Sequence, residues 1–181
     1  MTLHGILLSM LAGSALIVAP LLTGHGPRLI WNASASVPIG LYSVSAADVV
    51  AVGDLVAILP PADLADFLDE RDYLPRGVPL IKRVLALPGT KVCRIGQALV
   101  VHDQNYGEAQ LHDRAGRNLP QWQGCRVIAG GEVFLMNWGV PDSLDGRYFG
   151  PLPITSITAR VTPIWTDETG DGHFVWRAAM R

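Results

Sequence analysis

Residues 80–89 read Leu-Ile-Lys-Arg-Val-Leu-Ala-Leu-Pro-Gly. The span 79–87 reads as a long apolar strand carrying one lysine, Lys82, and Pro88-Gly89 ends it as a turn. Working outward, residues 54–59 (Asp-Leu-Val-Ala-Ile-Leu) read as a second strand, too apolar to be solvated on one face. Gly53-Asp54 supplies the turn before it. Residues 41–45, 91–103, 125–138 and 157–165 read as further strands. The one clear helical stretch is 61–75, where Leu64, Phe67, Leu68 and Arg71 have helical spacing and Asp63 is placed to cap the start. Its acidic run is a solvated face or, on a sharper reading, a partner-docking insert. Residues 104–124 are polar and read as loop, and the tail from Thr166 reads as mobile. No internal repeat or low-complexity tract interrupts this. The pattern specifies a mainly β domain with a short helical insert.

Composition agrees. The 181 residues include 19 Gly and 13 Pro, which suits a turn-rich β protein, and the length suits one globular domain. Net charge is −2, so nothing favours nucleic acid as a partner. Cys93 and Cys125 lack the spacing of a zinc site. They form one disulfide if the domain is extracytoplasmic and are two buried thiols otherwise. His4, His25, His102, His112 and His173 are scattered without i, i+4 spacing, so no metal and no cofactor is expected.

Residues 3–22 contain no Lys, Arg, Asp or Glu. A bilayer-spanning helix needs about 20 apolar residues, so 1–24 read as an N-terminal transmembrane anchor and 25–181 as the domain it carries. A cleaved signal peptide is the rival reading. The missing basic n-region and the long apolar run favour an uncleaved anchor. Residues 24–31 read as a linker, with Trp31 at the membrane interface or in the core. The charge rule counts only the α-amino group before the helix and Arg28 after it, and so favours the opposite orientation to an exported domain.

Two serines, Ser34 and Ser36, stand just before Pro38. A serine hydroxyl is a weak nucleophile until a base takes its proton, and a lysine can be that base only when neutral. Burial in an apolar strand lowers a lysine's pKa by up to ~3–5 units, and Leu80, Ile81, Val84 and Leu85 supply such surroundings for Lys82. A strand-end lysine reaching for solvent is the plainer alternative. Pro38 restricts Val37 to extended conformations, and Gly40 permits close backbone approach.

The segments 32–42, 80–89 and 142–150, in this order, resemble the signal peptidase I superfamily of serine–lysine membrane proteases. The resemblance is closer to its conjugative-transfer branch, the TraF-type pilin-maturation peptidases. The branch pattern Asn-x-Ser-x-Ser-x-Pro-x-Gly-x-Tyr is kept at Asn32, Ser34, Ser36, Pro38, Gly40 and Tyr42. A Lys-Arg-x-x-x-x-Pro-Gly element stands at Lys82, Arg83, Pro88 and Gly89, and a Ser-x-Asp-x-Arg-x-x-Gly element at Ser143, Asp145, Arg147 and Gly150. The resemblance implies an antiparallel signal-peptidase-like β domain. It implies Ser36 as nucleophile and Lys82 as general base. The Ser36 N–H and the Ser34 hydroxyl would form an oxyanion hole, Ser143 would orient the lysine, and Asp145 and Arg147 would form a structural ion pair. Against the broader family, Met136-Asn137-Trp138 replaces a Gly-Asp-Asn element and Gly146 replaces a common serine.

These readings together describe a single-pass inner-membrane serine endopeptidase with its catalytic domain on the periplasmic side. It would process secreted precursors at small-residue sites. The branch implies a propilin as substrate, with hydrolysis or cyclisation, and conjugation or type IV secretion components as partners. A general type I signal peptidase and a non-catalytic membrane-anchored scaffold are the alternatives. A self-cleaving repressor would need a DNA-binding domain where this chain has its apolar segment.

Overall fold

In the computed structural model, residues 3–22, 26 and 28–179 are described. The element order is α1 (Leu3–Leu22), β1 (Leu29–Asn32), β2 (Ile39–Ser45), β3 (Leu55–Ile58), α2 (Ala62–Glu70), β4 (Leu80–Ala86), β5 (Lys91–Ile95), β6 (Ala98–Val101), β7 (Gln104–Glu108), β8 (Gly124–Val127), β9 (Glu132–Leu135), α3 (Gly146–Phe149), β10 (Leu152–Pro153), β11 (Ile157–Asp167) and β12 (Phe174–Trp176). The fold is mainly β, and the strand pairs are antiparallel.

The lysine-bearing run becomes β4, inside an eight-stranded sheet of order β1-β2-β11-β3-β4-β9-β10, with β12 added beside β11. Its neighbour β3 is buried at every residue. Alternation explains this: Leu55 and Ala57 join one apolar cluster with Val37, Tyr42 and Ile81. Val56 and Ile58 join another with Val84, Val133 and Leu135. Period-two side chains on a sheet covered on both faces need apolar residues at every position. The smaller sheet, β7-β6-β5-β8, has four strands. It packs through Val92, Leu99 and Val101 against Leu85, Phe134 and Met136 of the larger one. Cys93 and Cys125 are paired across β5 and β8 and form a disulfide, so the disulfide alternative holds.

Three local expectations change. The helix is shorter than 61–75 because Asp72, with φ of 56°, takes the left-handed conformation that ends it. Asp63 sits in the first turn, but Pro61 is the N-cap residue and no side chain caps it. Residues 104–124 are not all loop: β7 pairs with β6 across His102 and Asp103, both at positive φ. Two positive-φ residues make the tight turn whose twist suits a hairpin, usually signalled by Asn or Gly. The tail from Thr166 joins the sheet as far as Trp176. Asp167 accepts from the backbone N–H groups of Gly170, Asp171 and Gly172, and this turn returns the chain as β12.

α1 is 20 residues long. The side chains of residues 16–17 and 19–22 lie outside the described set, as do residues 1–2, 23–25 and 27, which hold parts of the anchor and linker. Among the described residues no helix is long and apolar enough to cross a membrane. Trp31 is 52% exposed, which removes the core alternative for it. It stacks on Phe174, which also meets Trp165.

Candidate active site

The serines lie in the loop between β1 and β2, and Asn32 builds that loop. Its buried side-chain amide donates to the carbonyls of Ser34, Val37 and Pro38 at 2.7, 3.1 and 3.1 Å. Its Oδ1 accepts from the Ser34 N–H and the Ser34 hydroxyl. A tight loop leaves several backbone carbonyls without strand partners, and one asparagine satisfies three of them. Tyr42 Oη donates to the Pro38 carbonyl at 2.6 Å, and burial pushes that phenol's pKa up. Gly40 is required: with φ of +147°, a Cβ there would stand 2.2 Å from the Trp165 carbonyl oxygen. The result presents Ser36 half-buried, with its Oγ 3.1 Å from the Oγ of exposed Ser34.

Lys82 lies opposite Val56 of β3 and is 2% exposed. It does not snorkel. Its Nζ donates to Ser143 Oγ at 2.8 Å. Desolvation by burial lowers its pKa to about 8, offset in part by the Asp145 carboxylate and reinforced by the Arg147 guanidinium.

Ser143, Asp145 and Arg147 are all nearly fully buried. Arg147 Nε and Nη2 donate to the two Asp145 oxygens, both at 2.9 Å. Arg147 Nη2 also reaches the carbonyls of Val140 and Ser143, and Nη1 that of Pro141. A buried bidentate pair whose remaining donors are also used is the arrangement in which such a pair is tolerated away from water. Here it ties the 140–147 segment into one shape and sets where Ser143 stands.

Two groupings therefore emerge: Ser34 with Ser36, and Lys82 with Ser143, Asp145 and Arg147. No hydrogen bond joins Ser36 Oγ to Lys82 Nζ. The link between the groupings is Asn137, whose Nδ2 donates to the Ser36 carbonyl at 2.7 Å and the Ile81 carbonyl at 3.3 Å. Its Oδ1 accepts from the Arg83 N–H and its own N–H reaches Asp145 Oδ2. Sequence reasoning treated Asn137 only as the remnant of a different motif. The available signal was a lone amide at the end of an apolar strand, which must find partners if buried. Arg83 lies over the Trp138 ring and donates to the Gly53 carbonyl. A cleft of about 330 Å³ opens at Ser36, walled by Val37, Leu55, Arg83, Trp138 and Val140. Among the described residues no His, Cys, Asp and Glu cluster could hold a metal ion.

The antiparallel β fold thus sets a buried lysine, its pKa lowered, on β4 and a serine, Ser36, at the mouth of an open cleft. The chain belongs to the signal peptidase family, peptidase S26, which it matches over residues 2–166. It is 35% identical over 147 residues to the conjugal transfer protein TraF of Agrobacterium fabrum (strain C58 / ATCC 33970), covering 75% of this chain and 81% of that protein. It is 33% identical over 165 residues to a plasmid transfer protein TraF of Escherichia coli, covering 85% and 91%. A crystal structure of a signal peptidase I from Enterococcus faecalis V583 aligns with TM-score 0.40 and 20% identity, over 65% of this chain and all of that one.

Proposed function

We propose that the chain is a membrane-anchored serine endopeptidase in which Ser36 is the nucleophile and Lys82 the general base. The observation that carries this reading is the state of Lys82: buried, lowered to about 8, and held by one serine hydroxyl. A neutral fraction near neutral pH is what a lysine needs to accept a proton. Ser36 Oγ exchanges its bond to Ser34 for one to Lys82 Nζ as substrate settles in the cleft. Catalytic hydrogen bonds of this kind tighten when the complex forms. Lys82 takes the proton as Oγ attacks the scissile carbonyl. The Ser36 N–H and Ser34 hydroxyl receive the oxyanion. Lys82 then returns the proton to the leaving amine, and water or the substrate's own amine releases the acyl group.

Residues 1–24 serve as the anchor and 25–181 as the periplasmic domain. Supporting this, α1 carries no charged residue and its described apolar side chains Leu3, Ile6, Leu7, Leu8, Met10 and Leu11 are exposed. Apolar side chains exposed on an uncharged helix need a cover, and the reading proposed here is that a bilayer supplies it. Exposed Trp31 and Trp176 suit the membrane–water boundary. Tethering raises the local concentration of membrane-borne precursors. The relatives are conjugal and plasmid transfer proteins, which supports a substrate within a conjugation apparatus; the substrate proposed here is a propilin with small residues at its cleavage site.

Mass spectrometry of a candidate propilin, co-expressed with wild type and with Lys82→Ala, tests this. Loss of a terminal segment only with wild type supports the peptidase, and a further loss of one water marks cyclisation. An unchanged precursor in both, repeated across a broad set of signal-peptide substrates, moves the reading to a scaffold. Full biological activity of Ser36→Ala leads to the same conclusion.

A further inference from the structure

Arg94 is 1% exposed and lies on β5, next to the disulfide-bonded Cys93. No carboxylate among the described residues pairs with it, and its Nη2 has no hydrogen-bond partner. A buried cation without an acid is costly, so its retained contacts should matter. Its shortest contact runs from Nη1 to the Arg147 carbonyl, at 2.8 Å and buried. That carbonyl needs an outside donor. In a helix the Arg147 carbonyl would be met by the N–H of residue 151, which is Pro151 and has none. The smaller sheet's following loop adds a second grip: Trp122 Nε1 donates to the Gly146 carbonyl at 3.0 Å.

We propose that Arg94 is a positioning residue for the lysine site: from the disulfide-linked sheet it fixes the Arg147 backbone, and through it the segment that holds Ser143 against Lys82. The path is continuous. Arg147 donates to the Ser143 carbonyl at 3.0 Å, and Ser143 Oγ accepts from Lys82 at 2.8 Å. The charged groups facing Lys82 are Asp145 and Arg147, both on this segment. Its register partner on β3 is Val56. Loosening the segment lets water reach the amine, which relaxes the desolvation that lowers its pKa.

The inference rests on Lys82 being the base, and the test separates the two. Full-length wild type, Lys82→Ala, R94M, R94Q and R94K are purified in detergent. Each is assayed across pH on a fluorogenic peptide with Ala-Xaa-Ala before its scissile bond. R94M should lower kcat roughly 10–100-fold, as small misplacements at a reacting centre do, and leave KM within about twofold. Its pH midpoint should move upward from that of wild type. R94K, which keeps a cationic donor, should recover part of both. A reduced amount of native enzyme scales the rate but cannot move the midpoint. A wild-type midpoint in R94M therefore overturns the proposal, whatever its kcat. If R94M does not fold, R94Q carries the same reading, and failure of both to fold makes Arg94 a folding determinant and overturns it as well. If wild type and Lys82→Ala cleave the peptide equally, or wild type cleaves neither it nor any of the broad set of signal-peptide substrates, the base reading fails, and Arg94 has no such site to position.

Discussion

Lys82 Nζ and Ser143 Oγ meet at 2.8 Å in a space closed to water, 61 residues apart in sequence. This single bond directs the amine while burial holds its pKa near 8. Rate as a function of pH reports it directly. Under conditions where kcat/KM reflects the free enzyme, activity should rise with pH and level off above a midpoint near 8. Lys82→Arg should be inactive at every pH, because a guanidinium cannot become a neutral base. A flat profile, or robust turnover by Lys82→Arg, would remove Lys82 from the mechanism.

The same burial makes Lys82 a cost to the fold. Its folded pKa, about 8, lies below the ordinary 10.5. Between those values the unfolded chain binds more protons than the folded one, so stability rises with pH across that window. Below it both states are protonated and the penalty is present in full. Lys82→Met should therefore be more stable than wild type at pH 7, by roughly 3 kcal/mol at most. The gap should close as pH approaches 10.5. Urea denaturation at pH 7 and pH 10 measures both, and a gap that does not change with pH contradicts the buried-lysine account.

Ser34 tests the oxyanion assignment. Its hydroxyl contacts both Ser36 Oγ and Asn32 Oδ1. A donor of that kind is worth roughly 10²–10³ in kcat. Ser34→Ala should show that loss in kcat with KM little changed, because the interaction strengthens only as charge develops. A loss below about tenfold would leave Ser34 as a loop residue sharing Asn32.

Much of this architecture was legible in the sequence, because burial on both faces of a sheet writes itself as uninterrupted apolar runs. Residues 54–59 and 79–87 announced β3 and β4 in that way. The polar strand β7, Gln-Asn-Tyr-Gly-Glu, carries no apolar alternation, and its turn uses His102 and Asp103 instead of Asn-Gly. β12 depends on a side-chain-to-backbone turn built by Asp167 that periodicity cannot reveal. At the site, the family resemblance pointed to Lys82, Ser143, Asp145 and Arg147, which the fold brings together. It could not identify Asn137, Arg94 or Trp122, whose roles are hydrogen bonds to backbone carbonyls from distant segments.

Gly146 illustrates how packing explains a departure in the motif. Within the family resemblance, Gly146 stands as a departure, a glycine in place of a common serine. In this chain a Cβ at 146 would stand 2.7 Å from two ring atoms of Phe134 and 2.8 Å from the Leu135 carbonyl oxygen. Phe134 is itself fully buried in the cluster that joins the two sheets. The ring and the glycine thus share one volume, and enlarging one demands shrinking the other. Gly146→Ala should cost about 1–3 kcal/mol by overpacking. Phe134→Leu should be destabilising alone, since it vacates core volume. Combined, the two should cost clearly less than their sum, because the smaller side chain admits the new methyl group. Urea midpoints for the four proteins measure the coupling. Strict additivity would mean that the backbone carbonyl of Leu135, which cannot retreat without disturbing β9, sets the limit at this position instead of the ring.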